Sequence, residues 1–405
     1  MPDTEADRHA EREIILRVTS AACFLIFFHA YLLAPLIPTL ARDLASSEFA
    51  VGLLVPAYMI PYGLSTLAYG PLSDRIGRKV VLLILLGLMV LTTAGLATAS
   101  SIEQLLLWRV IGGVATGGVA PISLALLGDL FPYEERGRAM GWIFGAIAGG
   151  LAFGSTVGAL LNPFLGWRWV LVGIAALMVI VAVIAFRHRR LLEGREQVEG
   201  PGHPIGIFAV AQNYAALFST SRGRWTYGYI LLNAMFHSGI FSWLGAYFHD
   251  RYALGDIGVG LALLGYGVPG MLLGPLIGRA ADRLGRRRII PAGLLVGAVA
   301  AAALGTPLPL ALAVGVVTIL SLGFDMSHPL LAGIVTTLDR KRRGQAMGMN
   351  AFVLFMGFGL GSLIFQAAMH LPGEFTAAML AFGVIEALAA ALGLHAFRKE
   401  GRRAE

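Results

Sequence analysis

Unbroken apolar runs of about twenty residues recur along the chain, each closed by charges or by glycine and proline. They lie near residues 17–40, 49–71, 79–99, 102–131, 138–162, 167–186, 225–248, 257–280, 288–304, 308–336, 344–369 and 374–397. A helix crosses a hydrocarbon core with roughly 20 apolar residues, so the pattern predicts twelve transmembrane helices and an all-α polytopic membrane protein. Barrel strands would alternate apolar and polar positions over about ten residues, and these runs do not alternate. The first run is too long for a signal-peptide core and shows no evident cleavage site, so it is expected to remain as a helix.

Composition agrees with lipid as the main solvent. Of 405 residues 57% are hydrophobic and 14% charged, more apolar surface than one soluble core can hide. The net charge of +7 takes its meaning from position. With the N-terminus in the cytoplasm, that side receives 27 of the 31 lysines and arginines. Arg42, Arg168 and Arg251 lie on the other side, and Arg109 falls within a span. This positive-inside asymmetry predicts that both termini are cytoplasmic and makes a nucleic-acid partner unnecessary. Cys23 is the single cysteine, which excludes an internal disulfide.

A drop in hydropathy between Phe186 and Trp225 divides the chain into a six-helix bundle over 1–186, a cytoplasmic linker over 187–224 and a second bundle over 225–405. The linker is charged, then broken by Pro201, Gly202 and Pro204, and residues 205–218 have the composition of a surface-lying amphipathic helix. The two sides repeat each other. Gly70, Asp74, Arg75, Gly77, Arg78 and Lys79 recur 208 residues later as Gly278, Asp282, Arg283, Gly285, Arg286 and Arg287. Arg136 to Gly141 recurs at an offset of 207 as Arg343 to Gly348. Two matches at nearly one offset predict duplicated halves, with a ligand site between them near mid-membrane.

The segment from Gly70 to Lys79, joining spans two and three, resembles motif A of the major facilitator superfamily. The resemblance covers both halves. It implies twelve helices in two pseudo-symmetric bundles, alternating access, a cavity lined by spans one, four, seven and ten, and a gating network in which Asp74 approaches span eleven and Arg78 pairs with Asp129. Leu105 to Gly113 resembles motif B, which carries an intramembrane arginine, here Arg109; Gly112 stands where that motif often has a polar residue. Gly145, Gly149, Gly150, Gly154 and Gly158 of span five are similar to motif C of the drug:proton antiporters, but Ser155 replaces the proline. Close helix packing explains those glycines equally well.

Chemistry inside the membrane rests on few residues, because buried charge is costly there. At ~1.5 Å per residue, His29 lies roughly 18 Å and His237 roughly 20 Å from the arginines that begin their spans, 208 residues apart in the chain. Asp325 and His328 are three residues apart on span ten and share a helix face. Asp325 is the only carboxylate near the midplane of a span expected to line the cavity, and both groups can exchange protons. Arg109 is expected either to tune that carboxylate or to hold an anionic substrate. Tyr58, Tyr62, Trp142, Asn233, Trp243 and Gln366 are candidate cavity residues, while Glu386 on span twelve has no assigned role.

The expected function is proton-driven export of a moderately hydrophobic small organic molecule across a bacterial-type inner membrane, by a chain acting as a monomer. Alternatives are proton symport of an organic anion through Arg109, and divalent-metal transport through His29, His237, Asp325 and His328. No zinc-protease helix or phosphate-cradling loop points to an enzyme, and neither a cofactor nor a resident metal is implied.

Overall fold

The computed structural model describes residues 5–192, 214–339 and 343–400, and every regular element among them is helical. The first half contains α1 (Glu5–Tyr31), α2 (Ile37–Asp43), α3 (Glu48–Gly52), α4 (Pro56–Ile76), α5 (Arg78–Thr98), α6 (Ile102–Thr116), α7 (Val119–Leu130), α8 (Tyr133–Leu165) and α9 (Trp167–Arg187). The second contains α10 (Ser221–Tyr252), α11 (Asp256–Leu263), α12 (Val268–Leu284), α13 (Arg286–Leu304), α14 (Leu310–Val335), α15 (Arg343–Ala368) and α16 (Phe375–Ala396). Several apolar runs are therefore two helices joined by a break. Prolines sit at these breaks, Pro35 and Pro38 in span one, Pro56 in span two and Pro269 in span eight, because a missing N–H cannot continue the ladder. The expected surface helix over 205–218 falls largely outside the described residues.

Eleven stretches among the described residues are long and apolar enough to cross a membrane. The remaining long helix, α10, has 32 residues but carries Arg222, Arg224, Asn233, His237, His249, Asp250 and Arg251. Hydropathy alone undervalues it because its polar residues face protein, with Asn233, His237, Ser238 and Ser242 all buried.

The two bundles repeat one helix joint. Gly150 and Gly154 of α8 lie against the backbone carbonyls of Phe24 and Phe28 on α1, so that an added Cβ would come within 2.5 and 2.2 Å of those oxygens. Gly357 and Gly361 of α15 lie in the same way against Leu231 and Met235 on α10, at 2.8 and 2.1 Å. All four residues of one joint map onto the other at an offset of 207. Here the span-five glycines let two backbones touch, the use that small residues have in lipid-embedded helix pairs. Gly77 and Gly285 occupy equivalent tight turns with φ of 93° and 85°, a backbone region open to glycine.

Ion pairs between Arg138 and Glu13 and between Arg222 and Glu400 gather both chain ends on one face, called here the terminal face. The bundles are splayed toward it. Across the bundle interface Gly63 of α4 touches Phe352 and Phe355 of α15, and Gly267 touches Ala152 of α8. Positions about two and three helical turns further toward the termini lie close to the same helix sides. At Gly70, Gly141, Gly145, Gly274 and Gly278 an added Cβ would meet nothing within 4 Å.

Candidate functional site

Away from the termini the bundles are sealed. Gly245 of α10 leaves room for Pro35, whose Cα would lie 2.5 Å from an added Cβ, and Gly52 does the same for the fully buried ring of Trp243. The Tyr31 hydroxyl donates to Ser238 Oγ at 2.9 Å, and Gln366 Nε2 donates to the Phe49 carbonyl at 2.9 Å. Asp256, at the start of α11, accepts from Thr39 Oγ1 at 2.9 Å and Asn162 Nδ2 at 2.7 Å, one oxygen each. The first half thus clamps a carboxylate of the second. Trp243 and Gln366, expected along the cavity, sit in this seal instead, and Asp256, Thr39 and Asn162 form a contact between the halves that hydropathy could not single out.

Asp256→Ala removes both bonds, so this end should open more often. Labelling of a cysteine at Ser242 by a bulky water-soluble thiol reagent, with Cys23 replaced by alanine, is expected to rise several-fold. Unchanged labelling would mean that apolar contacts alone hold the seal.

In the first half, Arg109 is fully buried and bonded entirely to backbone. Its Nε donates to Leu54 O at 3.0 Å, and its terminal nitrogens donate to His29 O at 3.2 Å and Ala30 O at 2.6 Å. Those carbonyls exist because the chain breaks there: α1 ends at Tyr31, and α4 begins only at Pro56. A helix C-terminus leaves carbonyls unpaired and carries partial negative charge, so one guanidinium satisfies two helix breaks. The guanidinium also lies over the Tyr58 ring, 4.9 Å from its centroid. Tyr58 OH and Thr116 Oγ1 share a hydrogen bond of 2.7 Å, His29 meets Tyr58 edge-on, and Tyr62 packs on Phe355 at 4.0 Å. In this conformation Arg109 does not face an aqueous cavity. It fastens spans one and two to span four.

In the second half, His237 shares a hydrogen bond with Tyr266 OH, 2.7 Å from Nδ1, and stacks on Phe324 at 3.9 Å. Phe324 in turn stacks on His328 at 5.0 Å, so the two imidazoles flank one phenyl ring. Asp325 points the other way, toward the break between α11 and α12, where it accepts from Ser321 Oγ at 3.2 Å and lies against Gly270. Asn233 is tied to Ser327 at 2.8 Å and acts as a crosslink between spans seven and ten. His29 Nε2 and His328 Nδ1 are buried with no hydrogen-bond partner among the described residues.

The expected four-residue centre is therefore divided. Among the described residues no three His, Cys, Asp or Glu side chains are arranged to hold a metal ion. Trp142 is exposed on α8. Glu386 is buried in α16, and neither carboxyl oxygen has a hydrogen-bond partner among the described residues. At the terminal face Arg78 pairs with Asp129, bracing α5 against α7. The Asp74 side chain lies outside the described residues, while Arg75, Asp282, Arg283 and Arg286 stand at the turn ends of α4, α12 and α13.

Comparison with known proteins supplies the context for this geometry. The family profile described as Major Facilitator Superfamily matches residues 19–273 and 253–405. The uncharacterized MFS-type transporter YwfA of Bacillus subtilis is 28% identical over 277 residues, 67% of this chain and 65% of that protein. Multidrug resistance protein D of Escherichia coli is 30% identical over 167 residues, 41% of this chain and 42% of its own. Each alignment spans less than two thirds of the curated relative. A solved bacterial homolog of the human lysosomal transporter Spinster, in an inward-facing and unoccupied conformation, has a TM-score of 0.76 at 17% identity, covering 98% of this chain and 99% of that one.

Proposed function

The chain belongs to the Major Facilitator Superfamily, whose members are transporters and not enzymes, and from that premise we propose proton-coupled efflux of a moderately hydrophobic small organic molecule by alternating access. In this reading the terminal face is cytoplasmic, because it carries most of the lysines and arginines. The membrane is a bacterial-type inner membrane, the chain acts as a monomer, and the bundles 1–186 and 225–405 rock about their interface, joined by the 187–224 linker. The state described is then open to the cytoplasm and shut at the outer seal.

The observation that carries the proton-coupled reading is Asp325. An intramembrane carboxylate is rare and usually belongs to an ion pathway. This one reaches the broken span eight, beside the His237–Tyr266 pair and one residue from Phe324. His328 assists it as a second protonatable group. Tyr62 of the first half packs with Phe355, Phe358 and Phe324 of the second as one aromatic cluster, a surface that would suit an apolar ligand when the halves part, and the likeness to a multidrug resistance protein supports export. Arg109 is taken up by carbonyls, which removes the charged ligand that anion symport would use.

Purified protein in vesicles with a pH gradient tests the proposal. Fluorescent lipophilic dyes such as ethidium and rhodamine 6G should move against their gradient, with protons moving the opposite way, and collapse of the pH gradient should stop them. Accumulation of benzoate together with protons, and no dye movement, would replace efflux by anion symport.

A further inference from the structure

Span eight is interrupted inside the membrane. α11 ends at Leu263, Gly267 adopts φ 82°, and α12 starts at Val268 with Pro269 in its first turn. A helix start leaves backbone N–H groups unpaired and carries partial positive charge, and no water is at hand in lipid to meet either. Span ten meets both needs. The Gly267 N–H donates to Ser321 Oγ at 2.9 Å, the Ser321 hydroxyl donates to Asp325 Oδ2 at 3.2 Å, and the same carboxylate lies against Gly270 in the first turn of α12. Contact is close because residue 270 has no side chain: an added Cβ would stand 2.6 Å from Asp325 Oδ1.

We infer that Ser321 and Gly270 are positioning residues that make Asp325 the N-terminal cap of α12, so that protonating Asp325 releases a hinge at 264–267. This rests on the reading of Asp325 as proton carrier. The carboxylate accepts from Ser321 at Oδ2 and opposes the helix dipole, and a neutral acid does neither as well. α12 is also the element that has to move. At its Gly274 and Gly278 an added Cβ would meet nothing within 4 Å, Gly267 just before it touches α8, and its far end carries Asp282 and Arg283. A freed α12 can swing toward α8 and close the terminal face. The proton is thereby read as a bend.

Other titratable groups near Asp325 are Tyr266 in the break, His237 on α10 and His328 on its own helix. The charged residues of α11, α12, α13 and α15 lie at the far ends of those helices: Asp256, Arg279, Asp282, Arg283, Arg286 to Arg288, and Arg343. α8 brings only Ala152 to Gly267.

Hydrogen exchange of the full chain in nanodiscs, corrected for intrinsic pH dependence, tests the hinge. Amides 264–271 should exchange about tenfold faster at pH 5.5 than at pH 8, the scale of one lost charge-assisted cap. In Asp325→Asn, a near-isosteric change, exchange should be fast at both pH values. Ser321→Ala should raise exchange at pH 8 and keep the pH step. A flat wild-type profile, or a step that survives in Asp325→Asn, overturns the hinge. The carrier reading is judged separately by pH-driven dye transport in the same variant: transport lost with a flat wild-type profile leaves the carrier standing and removes the hinge, while a hinge step with unaltered Asp325→Asn transport does the reverse.

Discussion

Vesicles containing Asp325→Asn should accumulate no dye in response to a pH gradient, yet exchange labelled for unlabelled dye at close to the wild-type rate. The amide retains the size of the carboxyl group and an oxygen that can accept from Ser321, so the fold is kept although the uncharged side chain caps α12 less well. It cannot release a proton, so coupling is lost while binding is not. A purely structural aspartate would give a different result, with exchange and accumulation falling together as the protein misfolds. Gradient-driven transport at the wild-type rate would move the proton site elsewhere, with Glu386 the first candidate as a fully buried carboxyl with no hydrogen-bond partner among the described residues.

Arg109 carries the largest expected effect on stability. Three donors meet three main-chain carbonyls at two helix breaks, and each such charged hydrogen bond contributes about 1.5–3 kcal/mol. Arg109→Ala takes the guanidinium away from those oxygens, and it should yield little monodisperse protein. Arg109→Lys keeps the charge, but an ammonium lacks the planar fork that spans Leu54, His29 and Ala30, so its melting temperature should fall by several degrees. A substrate-binding arginine behaves differently: the variants would melt like wild type and bind ligand weakly. Thermal unfolding followed by tryptophan fluorescence separates the two.

The spans were legible because hydropathy measures what lipid demands of a helix, and the paired turns at Gly77 and Gly285 because a repeat at 208 residues is hard to produce by chance. The breaks were harder to see. Leu32–Leu33 and Leu53–Leu54 continue their apolar runs, and only Pro35, Pro38 and Pro56 hint that the ladder stops. Arg109 was visible as a costly charge, but its partners are backbone atoms 55 to 80 residues away, which no side-chain pattern encodes. The same holds for Asp325: it was found as an intramembrane acid, whereas its contact with Gly270 follows from how span eight bends. The Gly150–Gly154 and Gly357–Gly361 joints could have been found by carrying the 207-residue offset through every glycine. Asp256 gave no such signal, since a carboxylate at the end of an apolar run is ordinary until Thr39 and Asn162 are seen to close on it.

Proton-driven alternating access is tested most directly by paired distances in one preparation. Spin labels at Gly141 and Gly274 report the terminal face, labels at Ser46 and Gly255 report the opposite seal, and Cys23 is replaced by alanine. Lowering the pH from 8 to 5.5 should shorten the first distance and lengthen the second within the same population. Distances that stay fixed across this range, or that change at one face alone, would contradict a proton-driven switch of access.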